Sequence, residues 1–290
     1  MQSIIKLLNS DAEKIKMMLK ELMSISKITK WNINDPYSSV IIIAPPYRWE
    51  KLSNEGKQLQ GRILKKYNRL IDMMKILIVD LPTQNLNLIE KTTPQVLEII
   101  EQNKTLFSSS PQECLNKAIE KIDQQLKMLE GLYDPSPNTI IYVPDTNAIL
   151  INPNLEKWVF EGVEGYTVVL VPVVLSELDK LKIDGRHETL RDKAKSFIKR
   201  IKEYMRRGTI SEGVKLSGKN KIKTIAVEPN FEKTLPWLDA TNNDDRMIAS
   251  YFEVVRQHPR SNVILVTADI NMQNKAAFAN AMFTDPPEIV

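Results

Sequence analysis

Asp145, Glu177, Asp245 and Asp269 are the residues of this chain best placed to do chemistry. Asp145 closes the apolar run Thr139-Ile140-Ile141-Tyr142-Val143-Pro144, and Asp269 closes Val263-Ile264-Leu265-Val266-Thr267-Ala268. Glu177 lies one helical turn past Val168-Val169-Leu170-Val171-Pro172, and Asp245 opens the helical stretch Asp245-Arg246-Met247-Ile248-Ala249. Carboxylates gathered at strand ends bind hard divalent cations, and such sites handle phosphate esters. If the acids converge to about 5 Å, each ionised pair repels by roughly 3 kcal/mol at an effective dielectric near 20. Protons relieve that repulsion, and so does a divalent cation. Nothing cationic immediately flanks Asp145 or Asp269, and Arg246 alone cannot offset the set. A metal is the more economical answer, and oxygen donors without histidine or cysteine beside them select Mg²⁺ or Mn²⁺ over zinc.

Taken one at a time, the acids have plainer roles. Asp145 suits a turn or a helix N-cap. Asp244 and Asp245 both complement a helix N-terminus, a role that suits Asp244 better, since Asp245 is the deeper of the two. Asp269, before Ile270-Asn271, suits an αL turn. Glu177 is different, because it shares a helix face with Val173, Val174 and Leu181. A carboxylate on an apolar stripe favours a site over a surface.

Alternation of elements puts these residues together. After the break Asp134-Pro135-Ser136-Pro137-Asn138, the pattern predicts strand 139–143, a helix near 153–160, strand 166–171, and helices 172–182 and 188–206. Strand-like pieces near 213–217 and 223–228 follow, separated by Gly218-Lys219-Asn220-Lys221, then helix 245–257, strand 262–267 and helix 272–281. Such alternation implies a parallel sheet covered by helices on both faces, with its site beyond the carboxyl ends of the strands. The predicted domains are a mainly helical region, 1–133, and an α/β region, 138–290. In the first, apolar periodicity predicts helices over 11–23, 61–81, 94–102 and 111–131, with a short strand at 39–44. Ser110, Pro111 and Glu113 form a capping box for the last helix, and Gly131 ends it.

Composition sets wide bounds. A hydrophobic share of 42% and a charged share of 26% are those of an ordinary globular protein, and a net charge of +4 neither demands nor excludes nucleic acid. Cys114 is the only cysteine, so no internal disulfide forms, and one thiol with two histidines cannot build a structural zinc site. A reducing, cytoplasmic setting fits best. Met1 to Leu22 lacks the features of a signal peptide, and no apolar run is long enough to span a bilayer.

At the four acids the sequence resembles the PIN domain nucleases. The resemblance is carried by Asp145-Thr146-Asn147, by Glu177 in Ser176-Glu177-Leu178, by Asn243-Asp244-Asp245-Arg246-Met247-Ile248, and by Thr267-Ala268-Asp269-Ile270-Asn271. Asn271-Met272-Gln273-Asn274-Lys275-Ala276 is similar to the branch containing endonucleases of RNA surveillance. The likeness covers about residues 138–285 and does not reach the helical region. It implies a three-layer α/β/α domain around a parallel sheet, and Mg²⁺- or Mn²⁺-dependent hydrolysis of phosphodiester bonds, usually in single-stranded RNA. By the resemblance, Asp145, Glu177, Asp245 and Asp269 are the metal ligands, directly or through water. Thr146 and Asn147 steady the first loop, with Asp244 as a further supporting residue. Thr267 bonds near the metal, Asn271 orients Asp269 or a metal-bound water, and Lys275 contacts a substrate phosphate.

Basic residues offer a route for the substrate. Arg186 stands ahead of a helix on which Lys195, Lys199, Lys202 and Arg206 share one face, either solvated or a phosphate-binding track. Trp237 reads first as a core residue and second as a base-stacking one. Two alternatives to a ribonuclease are a structure-selective DNA nuclease and a non-catalytic scaffold of the same fold. For the helical region the options include homo-oligomerisation and a protein partner.

Overall fold

Long apolar stripes dictate the helices of the N-terminal part. The computed structural model describes residues 3–30, 47–134, 139–183 and 188–287. The predicted strand at 39–44 lies outside those residues. The chain folds as two units, Ile5–Leu132 and Tyr133–Val290 with Met1–Ile4. The first contains helix α1 (Ile4–Ile25), strands β1 (Ile28–Lys30) and β2 (Tyr47–Trp49), helices α2 (Asn54–Ile78) and α3 (Thr83–Glu101), strand β3 (Thr105–Leu106) and helix α4 (Pro111–Leu132). Its small sheet is antiparallel in the order β1-β2-β3. Ile15, Leu19 and Leu22 of α1, Ile63, Tyr67 and Leu70 of α2, Ile89 and Val96 of α3, and Leu115 and Ile122 of α4 are buried. Each fully buried Leu or Ile contributes about 1.5–3 kcal/mol.

Helices α1 and α2 begin earlier than the predicted 11 and 61, at Ile4 and Asn54, and three further local expectations change here. Helix α3 begins at Thr83 rather than at Pro94, which lies inside it. Its missing N–H leaves the carbonyl of Glu90 unmatched. Glu90 is exposed, so water can serve that carbonyl, while Ile89, Val96 and Ile100 anchor both sides of the break. The capping box at α4 is split. Ser110 Oγ accepts the Glu113 N–H at 3.5 Å, but the Glu113 carboxylate accepts the buried Ser108 hydroxyl at 2.6 Å instead of returning to Ser110. Gly131 does not end the helix, which runs on to Leu132.

The second unit is an α/β sandwich around a six-stranded sheet ordered β6-β7-β5-β4-β8-β9. Its elements are β4 (Thr139–Pro144), α5 (Thr146–Ile151), β5 (Thr167–Leu170), α6 (Pro172–Leu181), α7 (Glu188–Arg207), β6 (Val214–Lys215), β7 (Lys221–Thr224), α8 (Asn243–Gln257), β8 (Ser261–Val266), α9 (Ile270–Phe278) and β9 (Phe283–Thr284). All pairings are parallel except β6 with β7, a hairpin in which Val214 faces Ile222. Strands β4, β5 and β8 are continuous apolar runs because helices cover both faces of the sheet, and their ends toward the site are fully buried. The chain steps from β4 to β5 and β7 on one side, then returns to place β8 on the other side of β4. That reversal opens a crevice at the carboxyl end of β4.

The predicted helix near 153–160 is absent, and only a 3₁₀ turn, Leu155–Lys157, occupies it. The helix comes earlier, as α5, because Asp145 caps it directly off β4. Leu155 and Trp158 are then buried from irregular backbone, the indole donating to the Asn152 carbonyl at 2.9 Å. Strand β7 also starts earlier than expected, at Lys221, so the hairpin turn is confined to Leu216–Asn220, closed by the Leu216 N–H to the Asn220 carbonyl at 2.9 Å.

Candidate active site

Register puts the first two acids side by side. β4 pairs with β8 from Thr139↔Ser261 to Pro144↔Val266, and the Asp145 N–H continues the ladder to the Val266 carbonyl at 2.9 Å. Thr267, fully buried, therefore lies beside Asp145. Its hydroxyl bonds the Asp145 carboxylate and accepts the Asp269 N–H at 3.1 Å, so one side chain ties both strand ends together. Each aspartate also caps the helix it precedes. Asp145 Oδ1 accepts the Ala148 N–H at 2.6 Å, and Asp269 Oδ1 accepts the Asn271 and Met272 N–H groups at 2.7 and 3.2 Å. Asp269 is extended, with φ −80° and ψ 118°, so the αL turn does not form.

Glu177 arrives from α6. Val173, Val174 and Leu178 are buried on that helix, and Glu177 is half-buried with them. Its carboxylate accepts the Thr146 hydroxyl on Oε2 and the Asn243 side-chain amide on Oε1, the latter at 2.6 Å. Thr146 thus holds the first loop to the second acid. Asp145, Thr146, Asn147, Glu177, Asn243, Asp244 and Asp269 open into one cavity of about 340 Å³, floored by Val173, Val174, Met247 and Met272.

Burial raises the Asp145 carboxyl above the ordinary aspartate range; its bonds from Thr267 and Ala148 pull it down, and the charges of Asp269 and Glu177 push it up again. The cavity therefore carries negative charge that its own hydrogen bonds do not fully compensate.

Asp245 is set apart. It is buried at the start of α8, and its carboxylate accepts the Asp239 N–H at 3.0 Å and the Lys275 ammonium at 2.7 Å. Lys275 also reaches Asp244 and Asn242, both at 3.3 Å. Burial draws the Lys275 pKa down, but its hydrogen bonds and the charges of the two aspartates outweigh this and leave it raised. Arg246, the only counter-charge the local sequence suggested, turns to Glu228 at 2.5 Å and to Asn243. The counter-charge to Asp245 comes instead from 30 residues further on.

Among the described residues, no three Asp, Glu, His or Cys side chains lie close enough to enclose an ion directly. The donor set fits a hydrated hard cation, since Mg²⁺ keeps several waters and takes only one or two carboxylates directly. Asp145, Glu177 and Asp269 supply oxygen donors around one space, and Thr146, Asn243 and Thr267 orient them.

Other expected positions fall around this centre. Asn147 is exposed and lines both the cavity and a neighbouring one of about 390 Å³, which Asp269, Leu190 and Lys193 also line. Asn271 is exposed and meets Asp269 through its backbone N–H. Lys195, Lys199, Lys202 and Arg206 are all exposed on α7, opposite the buried Ala194, Phe197, Ile201 and Tyr204. Arg186 lies outside the described residues. Trp237 is exposed rather than core. Two residues were missed. Lys180 lines the cavity, and its place three residues beyond Glu177 on one helix was the available signal. Asn243, the donor to Glu177, was visible only as the residue preceding Asp244-Asp245.

Comparison with known proteins agrees with this architecture. The family model of the PIN domain matches residues 142–283. No curated protein matches the chain. PIN domains are typically metal-dependent nucleases, a family acting on nucleic acid with divalent metal. No helix among the described residues is long and apolar enough to cross a membrane. The helical region has no assigned family, and residues 142–283 of this chain are a PIN domain.

Proposed function

We propose that this chain is a divalent-metal-dependent endoribonuclease that cuts single-stranded RNA. The observation that carries the reading is the meeting of Asp145, Glu177 and Asp269, from three separate elements, in one cavity where burial and like charge raise Asp145. Mg²⁺ or Mn²⁺ bound there supplies an activated water and stabilises charge on the phosphate. Asp145, Glu177 and Asp269 hold the ion directly or through water. Thr267 fixes the spacing of the two strand-end aspartates, and Thr146 and Asn243 fix Glu177. Asp244 lines the cavity and would bind outer-shell water, while Asp245, buried behind it, shares the Lys275 ammonium with it and would join the set through water. Lys195, Lys199, Lys202 and Arg206 attract the phosphate backbone without reading its sequence. RNA is favoured over DNA by the likeness of Asn271–Ala276 to the surveillance branch.

The test is cleavage of an RNA strand blocked at both ends, with single-stranded DNA and flap DNA in parallel. Mn²⁺ should support internal cuts in RNA, and EDTA and Asp145→Asn should each stop them. Cleavage that survives either treatment rejects the mechanism. Cuts confined to flap DNA would move the substrate to DNA, and no cutting with no ion binding would leave a scaffold.

A further inference from the structure

Two aromatic rings stand in solvent beside the acidic wall. Trp237 is 39% exposed and Phe278 50% exposed, yet they meet edge to face with centroids 5.1 Å apart at 69°. Such a contact is worth about 0.5–1.5 kcal/mol and holds both rings in a fixed attitude. Their location is also fixed. Trp237 lies two residues before Asp239, whose N–H binds one oxygen of Asp245, and Phe278 lies one turn past Lys275, whose ammonium binds the other. Lys275 further binds Asp244, which lines the cavity. Asp245 thus joins the two ring-bearing segments to the edge of the site.

We infer that the indole of Trp237, braced by Phe278, is a stacking platform for an unpaired base of the nucleic acid as it leaves the acidic site. The inference rests on the nuclease reading and deepens it, since it names what the site recognises. The exposed indole, braced by the ring of Phe278 at 69° to it, presents a flat π-face that any base can use, so the contact tolerates sequence. A single indole face matches one base, and Asp239 and Asn274, close by in the chain, are exposed and polar. Bases inside a duplex are already stacked, so the platform selects single strands.

The experiment uses the full chain carrying Asp145→Asn, so that nothing is cut, and follows tryptophan emission while an eight-nucleotide oligoadenylate is added. A length-matched abasic strand supplies the same charge without bases. The chain has 4 tryptophans, so the Trp237→Phe variant isolates the signal of Trp237. Oligoadenylate should quench that signal and the abasic strand should not. Trp237→Ala should weaken oligoadenylate binding about tenfold and leave abasic binding unchanged, with Trp237→Phe keeping most of the affinity as the control for folding. Equal quenching by both strands overturns the platform. So does unchanged oligoadenylate affinity in Trp237→Ala, which would leave the rings to a protein side chain. Quenching by a chain whose unmutated form cuts nothing with Mn²⁺ supports the platform and rejects the nuclease. Cutting without quenching rejects the platform alone.

Discussion

The two units bury polarity in opposite ways. In the helical unit the buried polar centre is neutral and closed on itself. Gln125, fully buried, donates to Thr92 Oγ1 at 2.8 Å and to the Tyr67 hydroxyl at 3.1 Å, and Thr92 donates onward to the Leu88 carbonyl at 2.7 Å. Burial raises the Tyr67 hydroxyl to about 12, so it stays protonated and needs no counter-charge. In the PIN domain the polar centre is anionic and open. Asp145 and Asp245 are the buried acids among the described residues, and Asp145 faces two more carboxylates across a cavity. A satisfied neutral network serves stability. A set of like charges costs stability unless something from outside joins it, which marks the second centre as a place for a ligand.

Replacing the central group of each unit sharpens the contrast most. Asp145→Asn keeps a cap for α5 but removes the buried charge. RNA cleavage should fall at least about 100-fold, while the unfolding temperature in chelator rises. A parallel fall in activity and stability would mean that Asp145 is structural. Gln125→Leu should do the reverse, lowering stability by about 1–3 kcal/mol by taking a buried partner from the Tyr67 and Thr92 hydroxyls, with Mn²⁺ affinity unchanged in calorimetry.

Lys275→Met tests Asp245, whose counter-charge is the Lys275 ammonium. It should cost about 2 kcal/mol in chelator, a value reduced from that of a fully buried pair by the partial exposure of Lys275. Added Mn²⁺ should restore more stability than it gives the unmutated chain, because Asp245 then needs a counter-ion. Thermal unfolding with and without Mn²⁺ reads both terms, and equal gains would show that Asp245 takes no part in ion binding.

The pH response has a definite sign. The Asp145 pKa is raised on folding, so from its ordinary value of 3.8 upward the folded chain keeps a proton that the unfolded chain has lost. Stability without metal therefore falls as pH rises through that window. Mn²⁺ affinity moves the other way, improving as Asp145 deprotonates. Both slopes should flatten in Asp145→Asn, as measured by denaturant titration and calorimetry. The smallest effect belongs to α7. Changing Lys195, Lys199, Lys202 and Arg206 to Gln should reduce the salt slope of RNA binding by about 0.7 per lost phosphate contact and leave Mn²⁺ binding alone. An unchanged slope would mark this face as merely solvated.

What was legible in the sequence followed from local physics. Strands β4, β5 and β8 are apolar on both faces, so they stand out as runs ending in acids, and Glu177 stands out on an apolar helical stripe. Helix α5, at Thr146–Ile151, is too short to show a period, and Asp145 hid its capping role by also ending a strand. Strand β9 has only Phe283 and Thr284, an edge defined by its neighbour β8 rather than by its own composition. The pairing of Lys275 with Asp245 joins two helices across the domain, and no local window contains both. In the helical unit, Pro94 read as a helix start, because the tertiary anchoring by Ile89 and Val96 that overrides it is not a local property.

Calorimetric titration of the metal-free chain with Mn²⁺ tests the central claim most directly. The account predicts saturable binding that disappears in Asp145→Asn and survives in Gln125→Leu. Heats of dilution alone in the unmutated chain, or the same isotherm in Asp145→Asn, would contradict it.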